Sequence, residues 1–344
     1  TGFTGNLVAR LAVQRSLHPL LAGRNREKVE HQAGELGLDC RVFGVDDSGA
    51  LKRALGEVGA VLNCAGPFAY TARPMMDGCL QAGTHYLDIT GELPIYEAAA
   101  ARDAEAQTRG VTLLPGVGVE IAPTDCLAVH LKRRLPAATH LTLAWGGKGK
   151  TGFSRGSTRT MMEYVDYGCR IRRNGSIEKV PLGLHSRVID LGYGPTTTIT
   201  FTWPDVFTAY YSTGIPNIEV LFPRTRFIAR MVTMSRYLGP ILSIPPIKKW
   251  MKRGALAIPP GPTDEERAAS RGFIWGEVTD DGGGKAVSTL EGPNPGYTWT
   301  LITALDAVEK VVEGGAPAGF QTPGRAFGAD FVLQCPDVVR RDVE

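Results

Sequence analysis

The 344-residue chain carries 38 Lys and Arg against 35 Asp and Glu, a net charge of +3, with 43% hydrophobic and 21% charged residues. That length and composition suffice for two packed domains and exclude a peptide-like or fibrous protein, while so small a net charge argues against a dedicated nucleic-acid binder. The 42 Gly and 23 Pro are scattered between periodic apolar segments with no internal repeat, which excludes collagen-like and disordered classes.

The chain opens on Thr1-Gly2-Phe3-Thr4-Gly5, with no initiating Met and no strand ahead of it, and so reads as truncated. Gly2 and Gly5 lead into the apolar helical pattern Asn6 to Ala12, and Pro19 to Ala22 then reads as a strand. This is the form of a phosphate-binding turn entering a helix: glycines admit the pyrophosphate to the backbone, and the helix N-terminus offers it unpaired N–H groups. A G-x-x-G pair is also an ordinary turn. At the next strand end, Gly23-Arg24-Asn25-Arg26 lacks the acid that an NAD site places on the ribose 2′-hydroxyl, and Arg24 there suits a 2′-phosphate, hence NADP; the alternative is a solvated helix start.

Strands and helices go on alternating. Cys40 to Val45 reads as a strand ending on Asp46, Ser48 to Leu55 as a helix, and Ala60 to Asn63 as a buried strand running into Cys64-Ala65-Gly66-Pro67-Phe68. Met75 to Ala82 reads as a helix, His85 to Ile89 as a strand, Ala98 to Thr108 as a helix and Val111 to Leu114 as a strand. Such alternation predicts an α/β fold with a Rossmann-type, doubly wound parallel sheet whose ligands sit beyond the carboxyl ends of the strands, where Gly2, Gly23, Gly66, Gly91 and Gly116 fall.

After Pro123 the pattern changes: Leu127 to Leu135 reads as a connecting helix, followed by strands at Leu141 to Trp145, Arg187 to Leu191, Thr196 to Trp203, Phe273 to Thr279 and Ala286 to Leu290. Their Thr and aromatic content suits a half-buried, largely antiparallel sheet in an α+β arrangement. Gly146 to Lys150 lacks the full P-loop frame and reads as a turn at a cleft edge. Between Val220 and Thr263 there is no acid, while Arg224, Arg226, Arg230, Arg236, Lys248, Lys249, Lys252 and Arg253 are interleaved with Phe227, Met231, Met234, Tyr237, Trp250 and Met251. A basic amphipathic stretch of this kind docks an anionic membrane surface, an acyl-carrier domain or an acyl-CoA phosphate, or forms a solvated basic face. The longest apolar stretches are broken by Arg and Pro well short of the roughly 20 apolar residues a membrane span needs.

Cys40, Cys64, Cys79, Cys126, Cys169 and Cys335 stand singly, so neither a metal site nor a disulfide framework is written here, and a reducing, cytoplasmic setting follows. Asp88 and Glu92 follow a strand at the crevice edge and are the candidate catalytic acids, with turn capping and helix initiation as their structural alternatives. His85 reads as a packed strand residue, Cys64 as a small packed hydrophobe beside the cofactor, and Ser154, Arg155 and Tyr164 as weak candidates for substrate contact.

Eight segments, TGFTG (1–5), LAGRN (21–25), VLNCAGPF (61–68), HYLDITGE (85–92), LPGVGVEIAPTD (114–125), GPTDEER (261–267), PGYTWT (295–300) and QTPGRAFG (321–328), together resemble the saccharopine dehydrogenase-like NADP-binding oxidoreductases. The similarity extends in particular to the branch containing the trans-acting enoyl reductases of complex-lipid assembly. The resemblance implies Gly2, Phe3, Thr4 and Gly5 at the pyrophosphate, Arg24, Asn25 and Asp46 towards the adenosine end, and Asn63, Cys64, Ala65, Gly66, Pro67 and Phe68 near the nicotinamide ribose. It further implies an NADP-binding domain over 1–122 with a return at 292–344, and a substrate and dimerisation domain over 123–291. A small-molecule or carrier-linked acyl substrate, reduced by NADPH, and a homodimer follow from the same resemblance; an amino-acid imine reductase and a non-catalytic NADP sensor or lipid-associated adaptor are the alternatives. Two departures stand out: the first glycine of the fingerprint is absent, and Gly146-Gly147-Lys148-Gly149-Lys150-Thr151 occupies the place of the usual Gly-Gly-Thr turn.

Overall fold

The computed structural model describes residues 2–149, 168–226, 228–230, 232 and 263–343. Strands β1 (Leu21–Gly23) and β2 (Cys40–Val42) pair in parallel. A second parallel sheet has the order β14-β5-β4-β3, built from β3 (Ala60–Asn63), β4 (His85–Asp88), β5 (Thr112–Leu114) and the late-joining β14 (Gly319–Phe320). The doubly wound α/β class is therefore observed, with the chain's last quarter returning to the sheet built by its first third.

Helix α1 (Phe3–Gln14) buries Val8, Ala9 and Ala12 at helical spacing, and the first and last of these pack on Leu305. Helix α2 (Arg26–Leu36) starts at Asn25, whose side chain accepts from the Lys28 N–H, and ends at Gly37 with φ +65°. Helix α3 (Ser48–Leu55) is capped by Asp47. Helix α4 (Phe68–Ala82) begins seven residues before the expected Met75, because the helix runs through Pro74, a residue that reads in sequence as a stop. The expected helix at Ala98 to Thr108 is two, α5 (Leu93–Ala100) and α6 (Asp103–Thr108), and β2 ends at Val42 instead of Val45.

Helix α7 (Ala122–Arg134) leads into a nine-stranded mixed sheet of order β15-β13-β12-β6-β11-β10-β9, with β7 joined to β11 and β8. Its strands are β6 (His140–Lys148), β7 (Cys169–Arg173), β8 (Ser176–Val180), β9 (Ser186–Asp190), β10 (Pro195–Thr200), β11 (Asn217–Pro223), β12 (Arg271–Thr279), β13 (Lys285–Gly292) and β15 (Val339–Val343). All pairings are antiparallel except β6 with β11. Helices α7 and α8 (Asp205–Thr213) cover one face, and a Cβ at Gly276 of β12 would come within 2.6 Å of Leu131, so the glycine sets how closely α7 approaches. The Gly146 to Lys148 stretch corrects the expected turn: it continues β6, and a Cβ at Gly146 would meet the Tyr193 hydroxyl at 2.8 Å. Tyr193 crossing the strand there is the physical reason for the glycine.

Candidate functional site

The carboxyl ends of β3, β4 and β5 lie side by side. Gly2 caps α1 with extended backbone and no side-chain bond, and a Cβ there would meet nothing within 4 Å. Gly5 approaches the β3 end closely enough that its Cβ would sit 3.5 Å from Cys64. Phe3 packs edge-on against Tyr297, and Thr4 is half-buried in the first turn. Arg24 is exposed at the end of β1, without a partner among the described residues, and Asn25 spends its side-chain oxygen on the α2 cap. Asp46 is exposed in the turn before α3.

The turn after β3 is held from two sides. Asn63 accepts from the Ala65 N–H at 3.0 Å and donates towards Thr71 and Tyr86. Ala65 and Gly66 are exposed, Gly66–Pro67 is a cis peptide, and burial pushes the Cys64 thiol up to about 12, which leaves it an unreactive packed group at neutral pH. On the other side, Glu92 reaches back so that its two carboxylate oxygens accept from the Phe68 and Ala69 N–H groups, both at 2.8 Å. The sequence offers Glu92 as an acid or as the start of the helix that follows it, and Glu92 is indeed the N-cap residue of α5. Its side chain also anchors the start of α4, where an anion is favoured by the helix dipole.

Asp88 is fully buried at the end of β4, where its oxygens accept from the Tyr86 hydroxyl at 2.5 Å and from the Thr90 and Gly116 N–H groups at 2.9 Å. Burial outweighs these donors and pushes it up to about 6. Gly116 has φ +76°, and a Cβ would meet the Tyr96 hydroxyl at 2.1 Å, so only glycine fits beside Asp88. His85 accepts from the Thr112 N–H through Nδ1, in keeping with a packed strand residue.

Two further acids, which no sequence pattern distinguishes, lie in the segment 114–125. Asp125, fully buried in α7, accepts from Ser212 of α8 at 2.6 Å and from the Gly324 N–H of α9 (Pro323–Phe327) at 2.7 Å. Glu120 differs from every other acid at these strand ends: its Oε2 is buried with no hydrogen-bond partner, and burial pushes the group up to about 7. An unfolded glutamate titrates near about 4.3. The folded state therefore holds an extra proton between that value and 7, and stability falls as pH rises through the window and stays lower above it. Glu120→Gln is expected to be more stable than wild type by about 1–3 kcal/mol at pH 8 and nearly equal to it at pH 4.5, read by urea denaturation at both pH values.

Residues 1–114 match the family described as the saccharopine dehydrogenase NADP binding domain. That stretch belongs to this family. NADP is accordingly the cofactor of the domain. Among curated relatives, a saccharopine dehydrogenase-like oxidoreductase of Bos taurus is 25% identical over 174 residues, covering 43% of this chain and 41% of its own. A trans-acting enoyl reductase of Mycobacterium leprae is 29% identical over 143 residues, covering 39% of this chain and 34% of its own. The chain thus spans 34–41% of these relatives' length. The apo saccharopine dehydrogenase (L-Glu forming) of Saccharomyces cerevisiae has the same fold, with a TM-score of 0.68 over 100% of this chain and 98% of its own at 14% identity.

Later motifs bond back to the first part of the chain. Thr300 accepts from the Val119 N–H, Tyr297 meets Phe3, and the Gly324 segment bonds to Asp125. A cavity of about 440 Å³ lined by Gly183, Ser186, Thr197, Ile199 and Arg224 lies at the β9–β10 edge and includes none of these side chains. Ser154, Arg155, Tyr164, Thr1, Phe227, Met231 and residues 233–262, which hold most of the basic amphipathic stretch, lie outside the described residues. Among the described residues, no helix is long and apolar enough to cross a membrane.

Proposed function

We propose that the protein is an NADPH-dependent reductase acting on the activated double bond of an acyl thioester. The observation that carries this reading is that an uncapped helix N-terminus and an acid with an unbonded, buried oxygen open on the same set of strand ends. NADPH, when bound, supplies a hydride. The α1 N–H groups and glycines hold its pyrophosphate, Arg24 its 2′-phosphate with Asn25 and Asp46 towards the adenosine, and the Asn63–Phe68 turn lies at the nicotinamide end. The restriction to thioesters draws on the similarity to the trans-acting enoyl reductase, and a carrier or CoA-linked substrate would bring the negative charge that the Val220–Thr263 cations meet.

The test is a screen of NADPH oxidation against enoyl thioesters and cyclic or amino-acid-derived imines. Turnover of the thioesters is the expected result; turnover of imines alone would replace this reading with an amino-acid imine reductase, and turnover of neither with a non-catalytic NADP protein. Arg24→Ala is expected to weaken NADPH binding by about tenfold or more and leave NADH binding unchanged, since a charge-assisted contact is worth about 1.5–3 kcal/mol. Equal or tighter binding of NADH by the unaltered protein would overturn the NADP assignment of Arg24.

A further inference from the structure

The side-chain polar atoms with no partner among the described residues include two that belong to one neighbourhood. The first is Glu120 Oε2 and the second is the indole N–H of Trp145 on β6, a residue only 7% exposed. Trp203 connects them: its own indole N–H donates to the Glu120 carbonyl at 2.7 Å, and its ring stands 6.1 Å from that of Trp145. Phe222 of β11 lies 5.0 Å from Trp203 and stacks on Trp145 at 6.5 Å. An aromatic cluster on the mixed sheet thus bonds to the Glu120 backbone, with the Trp145 N–H and Glu120 Oε2 unpartnered there and the buried oxygens of Asp205, two residues from Trp203, unpartnered as well. Buried polar groups are ordinarily paired, and unpaired ones in one place mark where a ligand completes the bonding.

The surrounding sequence makes room for the Glu120 carboxyl. A Cβ at Gly118 would come 3.0 Å from Glu120 Oε2, and one at Gly91 would come 3.3 Å from its Cγ. Two glycines therefore leave the room in which the carboxyl sits. The other acids on these strand ends are committed, Asp88 to Tyr86, Thr90 and Gly116, and Glu92 to the start of α4.

We infer that Glu120 is the proton donor and that Trp145, with Trp203 and Phe222, seats the conjugated carbonyl and adjoining apolar chain of an enoyl thioester whose acyl part carries no charge. This rests on the reductase reading above and adds the substrate-side residues to it. NADPH, when bound, would supply the hydride to the β-carbon; as the electron pair of the C=C bond shifts towards the thioester carbonyl, the Trp145 N–H donates to that carbonyl's oxygen. The Glu120 carboxylic acid then gives its proton to the α-carbon, leaving a saturated thioester, NADP+ and a carboxylate that water reprotonates. Burial, which holds Glu120 near 7, keeps a proton available at neutral pH. Tyr96, the titratable group among Glu120, Asp88, Asp125 and Asp205, is held neutral by burial and by those acids, and its hydroxyl is given to the Thr90 carbonyl. An amino-acid imine with two carboxylates would need cations instead, and the sheet's Arg172 and Arg187 are spent on the Val206 carbonyl and on Glu277.

The test uses the whole chain, NADPH and trans-2-decenoyl-N-acetylcysteamine. Glu120→Gln is expected to lower kcat by about 100-fold or more and to abolish the fall in rate as pH rises through 7, while Glu120→Asp restores part of both. Trp145→Phe is expected to weaken binding of the saturated decanoyl thioester to the NADP+ complex about tenfold by calorimetry, with NADP+ affinity unchanged. Retention of the rate and its pH limb in Glu120→Gln would overturn the donor role, and unchanged thioester binding in Trp145→Phe would overturn the seat. If the unaltered protein turns over no enoyl thioester, the reductase reading fails; decanoyl thioester binding that depends on Trp145 would then still uphold the seat, and its absence would remove that too.

Discussion

Replacing Asp125 with alanine is expected to lower stability by about 2–4 kcal/mol, one of the two largest effects of any single change anticipated here. Its carboxylate is fully buried where α7, α8 and α9 meet, and it accepts from the Ser212 hydroxyl and the Gly324 N–H. Ser212 retains other partners in Thr208 and Thr322, so the principal loss is the Gly324 N–H, left buried without an acceptor. A Cβ at Gly324 would strike the Asp125 backbone oxygen at 2.8 Å. Gly324→Ala should therefore disrupt the same contact, and the double variant should lose clearly less than the two single losses added together. Urea denaturation of the three variants checks this, and a loss below about 1 kcal/mol for Asp125→Ala would show that the junction is held by apolar packing alone.

Glu92→Ala is expected to cost about 2–4 kcal/mol as well, because it leaves two N–H groups at the start of α4 without their carboxylate. Here the loss extends to the cofactor: the Asn63–Phe68 turn is hung between Asn63 and Glu92, so NADPH affinity should fall together with stability. Glu92→Gln, which keeps one acceptor oxygen, should lose less of both. Thermal unfolding and NADPH titration on the two variants decide the matter; unchanged cofactor affinity in Glu92→Ala would show that the turn holds its shape without the anchor.

The sequence by itself determined the class of fold and the cofactor, because the signals there are local. Strand and helix periods alternate over short windows, glycines fall at strand ends, and Arg24 stands one residue past β1 where an acid is absent. The eight quoted motifs also led to the family to which residues 1–114 belong. What periodicity could not supply were β7, β8, β11 and the early start of α4, where mixed patterns and Pro74 obscure the element.

Only the tertiary structure decided which of the acids Asp88, Glu92, Glu120 and Asp125 are occupied and which is free. Whether a carboxylate has a proton to give depends on its partners and its burial, and those come from residues far along the chain: Phe68 lies 24 positions from Glu92, and Gly324 lies 199 from Asp125. Asp88 and Glu92 stood out in sequence by their place after a strand, yet both are bound by backbone N–H groups. Glu120 had no distinguishing pattern, and its unbonded oxygen exists because Gly91 and Gly118 leave room that no other side chain fills.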